Sequence, residues 1–436
     1  MNVQDLRGFT AVGGVGKRMG PLTYGTSKPC VRLLNRPIMD FALLPLAEQG
    51  VRNHIFGVKG GTNHRDLYDY YKEGIDFSTR YGIEPRMHFK YQPNEDDVGN
   101  ADSLHINLTY YDIEDPVIVV QGDNVYDIDL ADMIREHEEH EAFMTIALIR
   151  VENTREYGVA DLDPQDLRIK RFVEKPTADK APSNLVNAGL YLISPEIRKT
   201  LEREEIEKIK RERNRLDFGM DLIPYLVDNN FLVYGYELRK AWHDLGTPER
   251  YLEAMKDILH EKVNIRVKEE PVFPNVWIQG YSEESIRRRE RIVKDCREDK
   301  LAIAGAALIG RHTRIGCNTK IADSNIDNFC IVGEHVVIED SAIMDATVIE
   351  GYSSISKSIV GRNVKIKSTR KHPTKIDSGS VVGNDVEIRE GCNLIGTRVY
   401  PELTIPPCLN FVNQTLRTYD DVSQPATKSN ILRKES

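Results

Sequence analysis

The sequence predicts an α/β domain built on a mostly parallel central sheet, followed by a parallel β-helix of three-sided coils. Two observations carry that expectation. Through residue 258, short apolar or β-branched runs alternate with stretches of helical periodicity, the arrangement of strands joined by crossover helices. From Leu301 onward the aliphatic residues recur every sixth position instead, a period that belongs to stacked coils rather than to a helix or an alternating strand. At about 150 residues per domain, the chain has length for two or three folded units. The change of pattern places an α/β domain at 1–258, a connector at 259–300, a β-helix at 301–412 and a polar tail at 413–436.

In chain order, the apolar run 8–12 reads as a first strand that enters a glycine-rich turn. Residues 37–49 repeat apolar positions three and four apart and read as a helix, as do residues 130–140. Runs at 54–58, 117–120, 145–151, 188–193 and 231–236 supply further strands. Segment 195–215 is highly charged, with Ile197, Leu201, Ile206 and Ile209 at near-helical intervals; it reads as a solvated surface helix, not a basic binding patch. The connector joins the Pro-bearing run EEPVFPNVW to the charged run EESIRRRERIVKDCRED.

In the second half, sixfold steps link Ile303, Ile309, Ile315 and Ile321, then Val332 and Ile338, then Ile343, Ile349 and Ile355, then Val360 and Ile366, and finally Ile376, Val382 and Ile388. Gly310, Gly316, Gly333, Gly361 and Gly383 each follow such a residue. One buried aliphatic per short strand, stacked coil on coil, is the physical content of that repeat. Five-residue steps interrupt the period, and STRKHPT (368–374) reads as an excursion from one corner. The residues after Val412 lack periodicity and read as a frayed end.

Composition excludes several classes. With 40% apolar and 29% charged residues, a buried core is available and wholesale disorder is not expected. A net charge of −9 argues against a sequence-independent nucleic-acid binder, which needs a basic face for phosphates. It leaves room for a basic pocket that handles small phosphorylated molecules. No apolar run approaches the roughly 20 residues that span a bilayer, and the start MNVQDLRGFTAVGG lacks the sections of a signal peptide. A cytoplasmic protein with no membrane partner is the expectation. Cys30, Cys296, Cys317, Cys330, Cys392 and Cys408 are scattered without CxxC spacing, which favours reduced, packed thiols over a disulfide frame or zinc site.

The strongest local signal is Ala11-Val12-Gly13-Gly14-Val15-Gly16-Lys17-Arg18-Met19-Gly20-Pro21-Leu22-Thr23, followed by Ser27-Lys28-Pro29. A strand that enters such a turn lets backbone N–H groups approach a polyphosphate, with Arg18 and Lys28 as fixed cations. It is not a Walker A loop, because Lys17 is followed by Arg18. It is not a dinucleotide fingerprint, because position 19 is Met.

This stretch resembles the G-G-x-G-x-R-[LM]-x-P-L-T…[PS]-K-P signature of the sugar-1-phosphate nucleotidyltransferases. Four later blocks agree in order. Gln121-Gly122-Asp123-Asn124 is similar to the family's metal-binding G-D motif at a strand end, Phe172-Val173-Glu174-Lys175-Pro176 to its sugar-phosphate motif, Asn187-Ala188-Gly189-Leu190-Tyr191 to its N-A-G-x-Y strand, and Trp242-His243-Asp244-Leu245-Gly246-Thr247 to its W-x-D-x-G-T motif. The resemblance implies a Rossmann-like catalytic domain followed, as in several branches, by a left-handed β-helix. It implies transfer of a nucleotidyl group from an NTP to a hexose-1-phosphate, giving an NDP-sugar and pyrophosphate.

The same resemblance implies the roles. Arg18, Lys28 and Lys175 are the catalytic cations; Gly13, Gly14, Gly16, Lys17, Gln92 and Gly99 hold the nucleotide; Gly158, Glu174, Lys175 and Asn187 hold the sugar phosphate; Asp123 and Asp244 bind Mg²⁺. Those residue types suit the chemistry. Bringing a phosphate dianion against a polyphosphate calls for charge neutralisation and in-line positioning more than covalent help. Asp oxygens are hard donors matched to Mg²⁺, and cations offset charge on the departing pyrophosphate. Two positions depart from the pattern: Lys17 and Asn100 stand where the family usually has Thr. They blur base preference, so UTP or dTTP with glucose-1-phosphate leads, with mannose-1-phosphate guanylyl transfer or glucose-1-phosphate adenylyl transfer behind it.

A β-helix in this family acts as acetyltransferase, regulator or oligomerisation face. His312, His335 and His372 lack the sequence surroundings of acetyl transfer, so a bifunctional enzyme ranks lower. A non-catalytic regulatory subunit has no need to keep Arg18, Lys28, Asp123, Lys175 and Asp244 together. Stacked coils leave flat faces that favour symmetric packing, so a homo-oligomer is expected.

Overall fold

The computed structural model describes residues 1–14, 16–177, 179–265 and 270–423. Residues 424–436 of the expected tail, and Val15 of the glycine-rich turn, lie outside the described residues. The chain forms two compact units that interleave in sequence. The first is Met1–Val15 with Ile38–His243, and the second is Gly16–Pro37 with Asp244–Ser436.

The first unit is built on a mixed nine-stranded sheet. Its strands are β1 (Arg7–Val12), β2 (Asn53–Val58), β3 (His88–Tyr91), β4 (Val117–Val120), β5 (Met144–Arg150), β6 (Gly158–Leu162), β7 (Ile169–Glu174), β8 (Leu185–Ile193) and β9 (Val233–Glu237). The order is β7-β6-β8-β4-β1-β2-β3, with β5 also on β8 and β9 on β5. The run β4-β1-β2-β3 is parallel, as is β5-β9, while β6, β7 and β8 pair antiparallel. β1 and β4 read as continuous apolar runs because both faces of a parallel sheet are covered. Phe9, Val117 and Val119 point into one core with helix Asn100–Tyr110, and Ile118 and Val120 into another with helices Asp40–Glu48 and Leu130–Glu139.

The charged segment 195–215 differs from the single helix expected. It forms Ile197–Leu201 and Glu204–Arg213, separated by Arg203 in extended backbone (φ −68°, ψ 146°). The break turns Ile206 into the core while Arg203 lies over the Phe231 ring at 5.0 Å.

The second unit contains helix Pro248–Leu259, strand Val276–Ile278, helix Glu283–Arg297 and a left-handed β-helix. Three parallel ladders make its faces. One stacks Ile303, Ile321, Ile338, Ile355, Ile376, Leu394 and Phe411. Another stacks Ile278, Ile309, Ile326, Ile343, Val360, Val382, Val399 and Leu416, and the third Ile315, Val332, Ile349, Ile366, Ile388 and Ile405. The stack therefore begins within the stretch read as connector and continues past Val412, because Ile278 and Leu416 close the ends of one column.

The five-residue steps now have a cause. They fall at one corner, between Ile338 and Ile343 and between Ile355 and Val360, where buried hydroxyls replace an apolar residue. Ser341 N–H donates to Ser324 Oγ and Ser358 N–H to Ser341 Oγ, each at 3.1 Å. The hydroxyl column satisfies backbone donors that the tighter corner leaves unpaired. At another corner coils approach so closely that a Cβ on Gly316 would meet the Gly333 carbonyl carbon at 2.6 Å. Residues 368–374 form the expected excursion, tied back by Thr374 Oγ1 to Lys367 O at 2.6 Å. All six cysteines are free, and burial pushes the Cys330 thiol up to about 12.

Candidate active site

In the first unit the strand order reverses around β1: β2 and β3 follow on one side and β4 lies on the other. In open α/β sheets the carboxyl ends of strands at such a point form the ligand crevice. β1 and β4 are parallel, so Gly13-Gly14 and Gln121-Gly122-Asp123 leave the same edge. A Cβ on Gly14 would meet no described atom within 4 Å, so the glycine leaves the backbone open to a ligand. Beside Gly13 lies Lys59, whose Cβ is 3.4 Å from where a side chain would begin. Lys59 N–H bonds Val12 O at 2.8 Å, and its ammonium reaches the Asp97 carbonyl.

Asp123 is half-buried at the end of β4. Gly122 sits close against the Met39 side chain there, since a Cβ would begin 2.5 Å from Met39 Cε. β8 brings Asn187-Ala188-Gly189 to the same edge: Gln121 N–H donates to Gly189 O at 3.2 Å. Gly189 (φ +73°) makes the kink that interrupts β8 pairing, and a Cβ would meet the Gln121 side chain at 2.4 Å. Asn187 holds this kink, accepting from Gly189 N–H and donating to Tyr191 OH, both at 2.8 Å. Its amide therefore shapes the backbone at this edge.

The register carries the edge further. Val186 pairs with Val159, and Glu174 with Gly158, so Asn187, Gly158 and Glu174 follow one another across the sheet. The Glu174 carboxylate lies between two glycines: side chains on Gly158 and Gly219 would each begin 2.6 Å from its Oε2. Burial raises its pKa against the lowering effect of Lys175, whose ammonium is 3.7 Å from Oε1. Lys175 takes a left-handed backbone (φ 47°), with its N–H on Tyr157 O at 2.9 Å. Such a conformation is costly for a residue with a Cβ and is kept where it aims a side chain.

Asp217 and Gly219 complete this cluster and were not singled out in the sequence. Asp217 precedes, and Gly219 lies within, a wide turn, Phe218–Leu222, after the charged helix. Asn100 N–H bonds Asp217 Oδ1 at 3.3 Å and Asn100 Oδ1 accepts from Phe218 N–H at 2.7 Å. Gly99 is pressed against Leu216 O, which a Cβ would meet at 2.5 Å. Burial raises the Asp217 pKa as it does that of Glu174. Arg213 and Arg215 hold the buried Asp221 at 2.8 and 2.9 Å, which fixes the turn.

Gln92 sits deeper than a base contact suggests. Its amide donates to Asn94 O at 2.7 Å and Asp97 Oδ2 at 3.0 Å, and its oxygen accepts from Ser103 Oγ and from Asn107 Nδ2 at 3.0 Å. These four bonds use its full capacity. Gln92 ties the Gly99 loop to Asp97 and, through it, to Lys59.

In the second unit, Gly16 (φ 60°) opens the turn Lys17–Thr23. Thr23 Oγ1 closes the turn by donating to Gly16 O at 3.0 Å, and the Lys28 stem packs against Gly16, 3.2 Å from where a Cβ would sit. Arg18 Nη2 and both Asp244 carboxylate oxygens converge on Gly246, at 3.0 and 3.1 Å from the start of any side chain there. Arg250 Nη1 donates to Asp244 Oδ2 at 2.8 Å. Arg250 is presented by helix Pro248–Leu259, which Thr247 caps through Arg250 N–H at 3.4 Å.

Thus the first unit gathers Gly13, Gly14, Gly99, Asp123, Gly158, Glu174, Lys175 and Asn187 along one sheet edge, with Gln92 beneath it. The second unit gathers Gly16, Lys17, Arg18, Lys28 and Asp244. Among the described residues no group of three or more His, Cys, Asp or Glu could cage a metal ion. The donors offered are carboxylate oxygens, which fits a hard divalent cation that takes its remaining ligands from phosphate and water.

The nucleotidyl transferase family model matches residues 11–261, and a model for the left-handed β-helix domain of the EIF2B epsilon subunit matches residues 292–394. The chain is 26% identical to a UTP–glucose-1-phosphate uridylyltransferase from Synechocystis sp., covering 82% of this chain and 88% of that protein. It is 25% identical to the low-salt glycan biosynthesis nucleotidyltransferase Agl11 of Haloferax volcanii, covering 83% and 100%. It is 27% identical to a glucose-1-phosphate adenylyltransferase from Acetivibrio thermocellus, covering 90% and 92%.

Proposed function

Since the chain belongs to the nucleotidyl transferase family, we propose that it transfers a nucleotidyl group from an NTP to a hexose-1-phosphate, glucose-1-phosphate with UTP or dTTP, releasing pyrophosphate. The observation that carries this reading is the sheet-edge cluster in which Lys175 stands beside the Glu174 carboxylate, on the sheet edge that the Gly13-Gly14 turn also leaves. A phosphate oxygen of the sugar phosphate forms the new bond to the α-phosphorus as the bond to the β-phosphate oxygen breaks.

In this reading Lys175 holds the sugar phosphate and Glu174 a sugar hydroxyl, with Gly158 leaving room and Asn187 shaping the floor. Gly13, Gly14, Gly16 and Lys17 line the polyphosphate, and Gly99 and Gln92 set the loop around the base. Arg18 and Lys28 offset charge on the leaving pyrophosphate. Asp123 and Asp244 are the ligands for Mg²⁺. The metal, when bound, neutralises and orients phosphate oxygens. We assign catalysis to 1–258 and read the stretch after it as a connector leading into a β-helix whose stacked columns run from Ile278 to Leu416, and we read the protein as a cytoplasmic homo-oligomer. No described helix is long and apolar enough to cross a membrane.

Adenylyl transfer is the second reading, favoured by the adenylyltransferase relative that matches 92% of its length. The deciding experiment is a matrix of NTPs against sugar-1-phosphates with Mg²⁺, read by pyrophosphate release. Turnover with UTP or dTTP and glucose-1-phosphate supports the first reading and ATP the second. No turnover with any pair rejects both.

A further inference from the structure

The segment Gly16–Pro37, which carries Lys17, Arg18 and Lys28, forms one compact unit with the β-helix. Its attachment is specific. Gly20 lies 3.7 Å, measured from where a Cβ would sit, from both Cδ and Nη1 of Arg398, and the rings of Tyr24 and Tyr400 meet edge-on at 5.6 Å. The deepest tie is Arg32. Its guanidinium takes both carboxylate oxygens of Asp327, Nε to Oδ2 and Nη2 to Oδ1, the latter at 2.9 Å. Nη2 also donates to Asn35 O at 2.6 Å, and the hydroxyl of the buried Tyr251 donates to Arg32 O.

Asp327 is built for this contact. It is 1% exposed, directly after Ile326 of a core column, and its N–H is held by Ile343 O at 2.8 Å in the coil stack. A forked guanidinium on a fixed carboxylate sets orientation as well as distance. Arg32 follows the short turn Lys28–Cys30, closed by Val31 N–H on Lys28 O at 3.1 Å, so whatever fixes Arg32 fixes the turn that starts at Lys28.

We propose that Asp327 of the β-helix is a positioning residue for triphosphate binding: through Arg32 it fixes the segment that presents Lys28 and Arg18. This rests on the functional reading above. The β-helix is then a strut of the phosphate-binding segment.

The test is steady-state kinetics of Asp327→Asn and Arg32→Lys in the full chain, with KM measured separately for NTP and sugar-1-phosphate, alongside thermal unfolding. Arg32→Lys keeps the charge and loses the fork, so it serves if Asp327→Asn fails to fold. The expected result is an NTP KM raised about tenfold and a kcat lowered about tenfold, since an ångström of misplacement costs up to about a hundredfold. The sugar-phosphate KM stays within about twofold of wild type. A merely structural role lowers the active fraction, and so kcat, with both KM values unchanged. That outcome, or a parallel rise in both KM values, overturns the proposal while leaving the functional reading intact. Wild-type protein without turnover for any pair overturns the functional reading and this proposal with it.

Discussion

Gly219→Ala isolates the contribution of the wedged carboxylate. The new Cβ would begin 2.6 Å from Glu174 Oε2 and 3.1 Å from Cδ. Ordinary contact starts near 3.4 Å, so the carboxylate must retreat by about 0.8 Å. The turn itself tolerates alanine, because Gly219 is not among the positive-φ glycines and Ala gains up to about 1 kcal/mol of helix propensity over Gly. The substitution therefore shifts Glu174 without unfolding its surroundings.

A displacement near an ångström at a positioning group costs on the order of tenfold to a hundredfold in rate, about 1.4 to 2.7 kcal/mol of transition-state stabilisation. Pyrophosphate-release kinetics should show kcat/KM for the sugar phosphate lowered by that factor and the NTP KM unchanged, with thermal unfolding as in wild type. Sugar-phosphate parameters within about twofold of wild type in a folded variant would refute the placement of Glu174 on the sugar.

Further expectations bear on the metal, the β-helix and pH. Asp123→Asn and Asp244→Asn should each lower turnover by orders of magnitude while leaving circular dichroism and melting unchanged; unfolding of either variant would mark its carboxylate as structural. Ile338→Asp puts a charge into a fully buried column position between Ile321 and Ile355, and should cost about 4 kcal/mol or more, read as a large fall in the melting temperature; an unchanged melt would contradict the stacked core. His54 and His137 are held neutral by burial, their pKa values lowered to about 3 and about 4. Their stabilisation is full above the unfolded value near 6.5 and is lost as pH falls toward the folded values, by about 1.4 kcal/mol per pH unit for each. Urea melts should weaken between pH 6.5 and 5, and His137→Gln should flatten part of that slope; a flat wild-type profile would count against buried neutral histidines.

The sheet and coils were legible because their signals are periodic and local. β1 and β4 announce themselves as apolar runs, and the ladders of the β-helix follow the sixfold steps. The five-residue steps looked like interruptions, yet Ser324, Ser341 and Ser358 make them a regular corner. Once hydroxyls bond the backbone, that position carries no hydrophobic mark. Lys59, Asp217 and Gly219 were hidden for another reason. Each joins the site through a neighbour distant in sequence: Lys59 beside Gly13, Asp217 bonded by Asn100, Gly219 under Glu174. No local spacing encodes such a meeting, although a glycine opening a wide turn among Arg213, Arg215 and Asp221 was a faint marker.

Gln92 and Asn187 show the converse limit. A motif identifies the residue type and its order in the chain, but how its hydrogen-bonding capacity is spent depends on packing. The Gln92 amide is consumed inside the fold by Asn94, Asp97, Ser103 and Asn107, and Asn187 spends one donor on Tyr191 and one acceptor on Gly189. Replacing either would act on ligand binding through backbone shape, so its effect should spread over several kinetic parameters rather than fall on one. The same reasoning explains why the boundary drawn from pattern is continuous and the one drawn from packing is not. Arg32 and Asp327 are 295 residues apart in sequence, and closing so long a loop is entropically little worse than closing one of half the length. A forked ion pair on a buried carboxylate can therefore recruit a glycine-rich segment into a distant structural unit without leaving any periodic trace in the sequence.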